Sequence, residues 1–325
     1  MVQKNSLKKF VLVIVGPTAS GKSSFAIECA KHFNGVIISA DSMQIYKEMN
    51  IGTAKPSKEE MQGIEHKLIG SHSLKDSFSA AEFSLVAKTE IEKAYLEGKI
   101  PIIVGGTGLF VQSFMYNYDF NQVKQNPEKR EEINKLIDEK GLAYVYDILK
   151  EKSPERALKI HPNDKIRIVR ALEVLEEKTE FAPKKEIRND YDFLLVGTNL
   201  PRELLYERIN NRVDEMIKNG LIKEIDDLIK SGYEQYLIQS KAIGYKEFLP
   251  FIHDEKTLEE CSVVVKQMTR NYAKRQLTWF RAMKEIIWFN PLLEKEQILE
   301  MIKDKVNKYE KCNWTCKRLW KRTNK

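Results

Sequence analysis

Residues 10–23 read Phe-Val-Leu-Val-Ile-Val-Gly-Pro-Thr-Ala-Ser-Gly-Lys-Ser: an apolar run, a glycine-bearing turn and the opening of a helix. The pattern G-x-x-x-x-G-K-[ST] is complete across Gly16, Pro17, Thr18, Ala19, Ser20, Gly21, Lys22 and Ser23. Strand, tight loop and helix N-terminus are the context that phosphate binding requires. Loop N–H groups and the positive end of the helix dipole converge on one anion site. Lys22 adds a point charge, and the Ser23 hydroxyl is a ligand for Mg2+. The loop does not say whether the phosphate belongs to ATP or to another phosphoester.

Working outward, Lys4, Lys8 and Lys9 before Phe10–Val15 resemble the start of a secretory signal. The apolar run is too short for one and passes directly into the loop, so it reads as a core strand. A helix follows from Ser23 to about Phe33, with Phe25, Ala26, Cys29 and Ala30 on its apolar stripe. Val36–Ser39 reads as a strand ending at Ala40-Asp41-Ser42. Ser79 and Glu82 form a capping box for a helix that stops near Gly98. Ile100–Val104 is a buried strand ending in Gly105-Gly106-Thr107-Gly108, and the pattern returns at Asp192–Thr198 and Ile286–Phe289. Strands alternating with helices predict a parallel sheet, with ligands beyond the carboxyl ends of its strands. Gly16–Ser23, Asp41-Ser42 and Gly105–Thr107 should therefore share one cleft.

Between Tyr118 and Phe181 β-branched runs give way to charged, helix-favouring residues, which predicts a helical insertion at 118–184. The catalytic core then spans 1–117 and 185–310, with a basic tail at 311–325 that we expect to be loosely ordered beyond Asn307. Of 325 residues, 42% are hydrophobic and 31% charged, as in a globular protein, and the net charge is +7. No apolar stretch approaches the ~20 residues of a membrane span. Cys29, Cys261, Cys312 and Cys316 form no disulfide framework, so the chain reads as cytoplasmic. Lys266–Lys284 and 311–325 are basic blocks, neither containing an acid, which points to a polyanionic partner.

Asp41 ends a strand beside the loop, where it can bind a hydroxyl, hold magnesium through water, act as a base, or merely cap the next turn. Thr107 follows two glycines that let backbone approach a ligand. Pro201 opens a helix placing Arg208 and Arg212 on one face, aimed at the cleft or paired with Glu203, Glu207 and Asp214. The five histidines show no metal spacing.

Taken in order, these stretches resemble the tRNA dimethylallyltransferase (tRNA isopentenyltransferase) family. The resemblance rests on Gly16–Ser23, Ile38–Tyr46, Ile51–Pro56, Val104–Leu109, His161–Asp164, Arg167–Val174, Ala242–Lys246 and Thr269–Trp279. It implies an α/β fold: a P-loop NTPase, nucleotide kinase-like parallel sheet with an inserted all-helical domain. It also implies transfer of a dimethylallyl group from dimethylallyl diphosphate to N6 of the adenosine 3′-adjacent to the anticodon of tRNA. Gly16–Ser23 would then hold the diphosphate, with Mg2+ on Ser23. Asp41, Thr107, Lys22 and Arg212 would be catalytic, with Asp41 the base. Contacts to tRNA would come from Asp41, Ser42, Met43, Gln44, Thr107, Arg130, Ile166, Arg167, Ile168, Val169 and Arg170. The insertion would grip the anticodon stem-loop. Separately from the resemblance, we expect a monomer.

Some positions depart from the family pattern. Ser23 replaces a threonine but keeps the hydroxyl. Lys165-Ile166 stands where Pro-Gln is usual, which removes the glutamine side chain from that contact. Glu65–Gly70 lacks the usual second histidine and final aspartate. Two other readings share the phosphate loop: an ATP-dependent small-molecule or nucleoside kinase, and an RNA-binding protein with a vestigial nucleotide site. Strand Ile100–Val104 ends in Gly-Gly-Thr instead of the aspartate that usually holds magnesium in P-loop ATPases, which weighs against an ATPase.

Overall fold

The computed structural model describes residues 8–116, 126–176 and 186–323. In chain order the elements are β1 (Lys9–Val15), α1 (Lys22–His32), β2 (Gly35–Ser39), α2 (Lys58–Met61), β3 (His66–Lys67), α3 (Ala80–Leu96), β4 (Ile100–Gly105) and α4 (Gly108–Met115). Then come α5 (Pro127–Lys140), α6 (Leu142–Lys152), α7 (Pro154–Ala157), α8 (Lys165–Glu176) and β5 (Tyr191–Thr198). The chain closes with α9 (Arg202–Lys218), α10 (Leu221–Lys230), α11 (Glu234–Gln239), α12 (Leu249–Ile252), α13 (Leu258–Arg281), β6 (Ile287–Phe289) and α14 (Lys295–Thr323). Two compact units result: Met1–Met115 with Arg188–Lys325, and Tyr116–Ile187.

The first unit is built on a wholly parallel sheet of order β3-β2-β4-β1-β5-β6. A parallel sheet covered on both faces needs apolar residues at every strand position, and β1 supplies them. Phe10, Leu12 and Ile14 join Ile37, Ile102, Val104, Leu194 and Val196 in a core with α1 and α14. Val11, Val13 and Val15 alternate onto the opposite face and are equally buried. The capping box of α3 forms as expected: Glu82 N–H donates to Ser79 Oγ, and Ser79 N–H to the Glu82 carboxylate. Val15 aligns with Gly105 and with Gly197, and Ser39 with Val104, so the carboxyl ends of β1, β2, β4 and β5 lie along one edge. Strand order reverses at β1, which is where such sheets bind ligands.

The second unit is helical, with α5, α6, α7 and α8 closing around Ile133, Ile137, Val145, Leu149, Ala157, Ile168 and Leu172. Asn126 caps α5, its side chain accepting from Lys129 N–H, with Pro127 in the first turn.

The expected loose tail is corrected by the structure: α14 runs to Thr323. Ile298, Leu299, Ile302 and Val306 recur on one helix face and pack on the sheet, which nucleates the helix. Once nucleated, a helix extends cheaply through residues that include no glycine or proline, as here beyond Asn307.

Candidate active site at the strand ends

The phosphate loop is shaped by local backbone demands. Gly16 leaves β1 with φ +154°, and a Cβ there would stand 2.2 Å from Thr198 Oγ1. Gly21 caps α1 in the left-handed region at φ +89°. Ala19 also takes a positive φ, 62°, a conformation that costs a non-glycine residue about 1–3 kcal/mol. The loop is clamped from below. Ser20, fully buried, donates from Oγ to the Pro17 carbonyl (2.7 Å) and lies 2.6 Å from Thr198 Oγ1 at the end of β5.

Two cations, Lys22 and Arg212, border this loop, and no carboxylate among the described residues forms an ion pair with either. Lys22 Nζ donates to the Pro17 carbonyl at 3.2 Å. Burial, then the Arg212 charge, pulls the Lys22 ammonium down to about 8, against an upward pull from Asp41. Burial also lowers the Arg212 guanidinium from its usual value, opposed by Asp41, Glu60 and Glu215. Arg208 Nη1 lies 4.0 Å from where a Cβ on Gly21 would stand. Both arginines of α9 therefore face the loop, and the pairing of either with Glu203, Glu207 or Asp214 does not occur. Asp214 instead pairs with Lys266 (2.6 Å).

The opposite side is built from the ends of β2 and β4. Ala40 N–H donates to the Val104 carbonyl (2.7 Å) and Thr107 N–H to the Ala40 carbonyl (3.1 Å). Gly105 permits this approach, since a Cβ there would stand 2.1 Å from the Ala40 carbonyl oxygen. Asp41 Oδ1 accepts from Met43 N–H (2.9 Å) and Gln44 N–H (3.3 Å), so the capping arrangement is present and fixes the carboxylate. Thr107 Oγ1 accepts from Ser42 N–H (3.0 Å) and lies 3.2 Å from Ser42 Oγ. The Gln44 amide donates to the carbonyls of Thr53 (3.2 Å) and Ala54 (3.0 Å).

Sequence reasoning about single residues missed three contributors. Thr198 seals the loop from β5. Gln276 of α13, 5% exposed, accepts Thr18 N–H on Oε1 (2.9 Å) and donates from Nε2 to the Gly106 carbonyl (3.0 Å). Tyr272, one helical turn earlier, lies beside Thr107 and Gln276, and burial followed by the Asp41 charge pushes its phenol up to about 12.

Gly16–Ser23, Asp41–Gln44, Thr107 and Arg212 thus gather at one sheet edge. Arg130 and Ile166–Arg170 belong to the second unit. There Glu173, with a fully buried side chain, takes Arg130 Nε (3.1 Å), Arg170 Nη1 (2.7 Å) and Asn126 N–H (2.6 Å). Ile168 and Val169 are buried in that unit's core, while Ile166 is 67% exposed.

Among the described residues no group of His, Cys, Asp or Glu is arranged to hold a metal ion. A hard cation would have oxygen donors only, the exposed Ser23 hydroxyl and the phosphate oxygens it accompanies, which suits magnesium's preference for oxygen and retained water. No helix among the described residues is long and apolar enough to cross a membrane.

A family model described as IPP transferase matches residues 44–283. The chain is 48% identical over 286 residues to a tRNA dimethylallyltransferase of Caldanaerobacter subterraneus subsp. tengcongensis, covering 86% of this chain and 91% of that relative. It is 47% identical over 288 residues to the tRNA dimethylallyltransferase of Alkaliphilus oremlandii, covering 87% and 92%. Among solved structures it is similar to a tRNA isopentenylpyrophosphate transferase from Bacillus halodurans, with TM-score 0.70, 36% identity and coverage of 94% and 99%. A eukaryotic dimethylallyltransferase acting on tRNA gives TM-score 0.74 and 31% identity, covering 87% of this chain and 75% of that one.

Proposed function

The chain belongs to the IPP transferase family, and from that premise we propose that its strand-end cleft transfers a dimethylallyl group from dimethylallyl diphosphate to a tRNA adenosine. The acceptor atom is N6 of the adenosine 3′-adjacent to the anticodon. The observation that carries this reading is the pairing of a cationic cradle, with no ion-paired carboxylate among the described residues, with a carboxylate fixed on the facing turn. The relatives are prenyltransferases, which favours this reading over a kinase or a non-enzymatic RNA binder.

The chemistry follows from charge. An adenine amine is too weak an acid for a carboxylate of pKa ~4 to deprotonate beforehand. As N6 attacks C1 of the donor, the C1–O bond breaks and its electron pair leaves with the diphosphate. The nitrogen becomes cationic and acidic, and Asp41 accepts its proton. Met43 and Gln44 N–H groups on Oδ1 hold the carboxylate in place and leave its other oxygen for that proton. Across the cleft Lys22, Arg212, Arg208 and the loop amides balance the charge growing on the diphosphate. Magnesium, bound through Ser23, would add further neutralisation of the diphosphate. Thr107 holds Ser42 beside the target base.

The target base must leave its stack, at a cost of a few kcal/mol that is lowest in a loop. Phosphate contacts from Arg167 and the basic face of α13 offset it. We further propose that the unit Tyr116–Ile187 is an inserted tRNA-gripping domain, and that the protein works as a cytoplasmic monomer. Incubation with tRNA, magnesium and dimethylallyl diphosphate, followed by nucleoside mass spectrometry, should yield N6-dimethylallyladenosine. Asp41→Ala should cut turnover by about 10³-fold or more while leaving diphosphate binding intact; unchanged turnover would remove Asp41 from the mechanism.

A further inference from the structure

On α13 the buried positions Cys261, Val265, Ala273, Gln276 and Phe280 follow helical spacing, and Gln276 is the long polar side chain among them. An amide buried in an apolar stripe is tolerated only where both its ends find partners. Here both ends are satisfied by main chain, and by two different strand-end loops. Oε1 takes Thr18 N–H of the phosphate loop, 258 residues away in sequence. Nε2 gives to the Gly106 carbonyl, 170 residues away. Gly106 is shaped to receive it, since a Cβ at that position would stand 2.2 Å from Nε2. The next residue, Thr107, holds Ser42 beside Asp41.

One planar amide of fixed length therefore spans the gap between the side that grips the diphosphate and the side that carries the base. We infer that Gln276 is a positioning residue for the transfer: it sets the separation of donor carbon and acceptor nitrogen. The inference rests on the reaction proposed above. A reaction of this kind requires its atoms about 3 Å apart and aligned, and small displacements are costly. When the spacing slips, water takes the place of N6. The C1–O bond then breaks, a C–O bond to water forms, a proton passes to Asp41 or solvent, and the products are dimethylallyl alcohol and diphosphate.

The test compares diphosphate released with prenyl groups transferred, using the full chain, tRNA, magnesium and dimethylallyl diphosphate. Gln276→Met keeps the length and removes both hydrogen bonds. It should lower kcat about 10–100-fold with the donor KM within about threefold, and raise the release-to-transfer ratio above one. Gly106→Ala attacks the same bond from its other end and should give the same pattern. The double variant should be no worse than the poorer single one, because both remove one interaction. Thermal melts fix an assay temperature at which each variant is folded. Wild-type ratios in both single variants, a change confined to donor KM, or multiplicative losses in the double variant would overturn the inference. A wild-type protein that transfers no prenyl group would instead overturn the proposed function.

Discussion

The two units handle buried charge in opposite ways. In the helical unit, Glu173 is enclosed and answered by Arg130, Arg170 and a backbone N–H, so the cluster is complete within the protein. These contacts hold its carboxyl below the usual value despite burial, which acts to raise it. At the strand-end cleft, Lys22 and Arg212 are half-buried with no ion-pair partner among the described residues, and desolvation depresses both. A buried charge with its partner in place is a structural joint. A half-buried cation without one is suited to an anion from outside, which in the proposed reaction is the donor's diphosphate.

Breaking each arrangement separates the two meanings. Within this comparison the largest effect should come from Lys22→Ala, which removes a counter-charge to the leaving diphosphate and should lower kcat/KM by about 10²–10³-fold. Because that ammonium is unfavourable in the unliganded fold, the variant should melt no lower than wild type at pH 7. Glu173→Ala should do the reverse. It leaves two arginines without their shared anion and should cost about 1–3 kcal/mol of stability by chemical denaturation, with donor KM unchanged.

Their pH signatures also lie on opposite sides of neutrality. Glu173 has a lowered folded pKa, so its contribution is present above the unfolded carboxylate value and lost as pH falls through the folded one. Lys22, at about 8, must be protonated to meet the diphosphate, so donor affinity should be about halved at pH 8 and fall about a further fivefold by pH 9, the bound anion holding the ammonium protonated. A flat donor-binding profile across that range, read by calorimetry, would remove Lys22 from the cradle. The smallest effect should come from Arg167→Ala. Its side chain is 61% exposed and meets Asp164 at 3.3 Å, so we expect tRNA binding to weaken by about three- to tenfold and the salt slope to drop by about one.

Much of the first unit was legible because its signals are local. The loop between β1 and α1, the Ser79 capping box and the glycines after β4 each depend on neighbours a few residues away. Strand β3, two residues long and defined only by pairing with Ile37 and Ile38, offers no period to read. Gln276 and Thr198 were missed for a related reason: their partners lie 170 to 258 residues distant. A glutamine in the apolar phase of α13 was the available signal. Arg208 and Arg212 were readable as a shared face, but only the folded chain shows that face turned to the loop. The tail misled because its basic composition outweighed the spacing of Ile298, Ile302 and Val306.

The placement of α14 also governs how the nascent chain can fold. The sheet face bearing Phe10, Leu12 and Ile14 is covered by Ile298, Leu299, Ile302 and Val306, which are synthesised far later than the strand they cover. Residues 116–187 form a contiguous unit and are free to fold while synthesis continues. The catalytic sheet, with β1 paired to β5 across some 180 residues and roofed by α14, cannot close until Ile298–Val306 have been made. Until then β1 lacks the cover that buries it, the kind of exposed apolar surface that favours aggregation over folding.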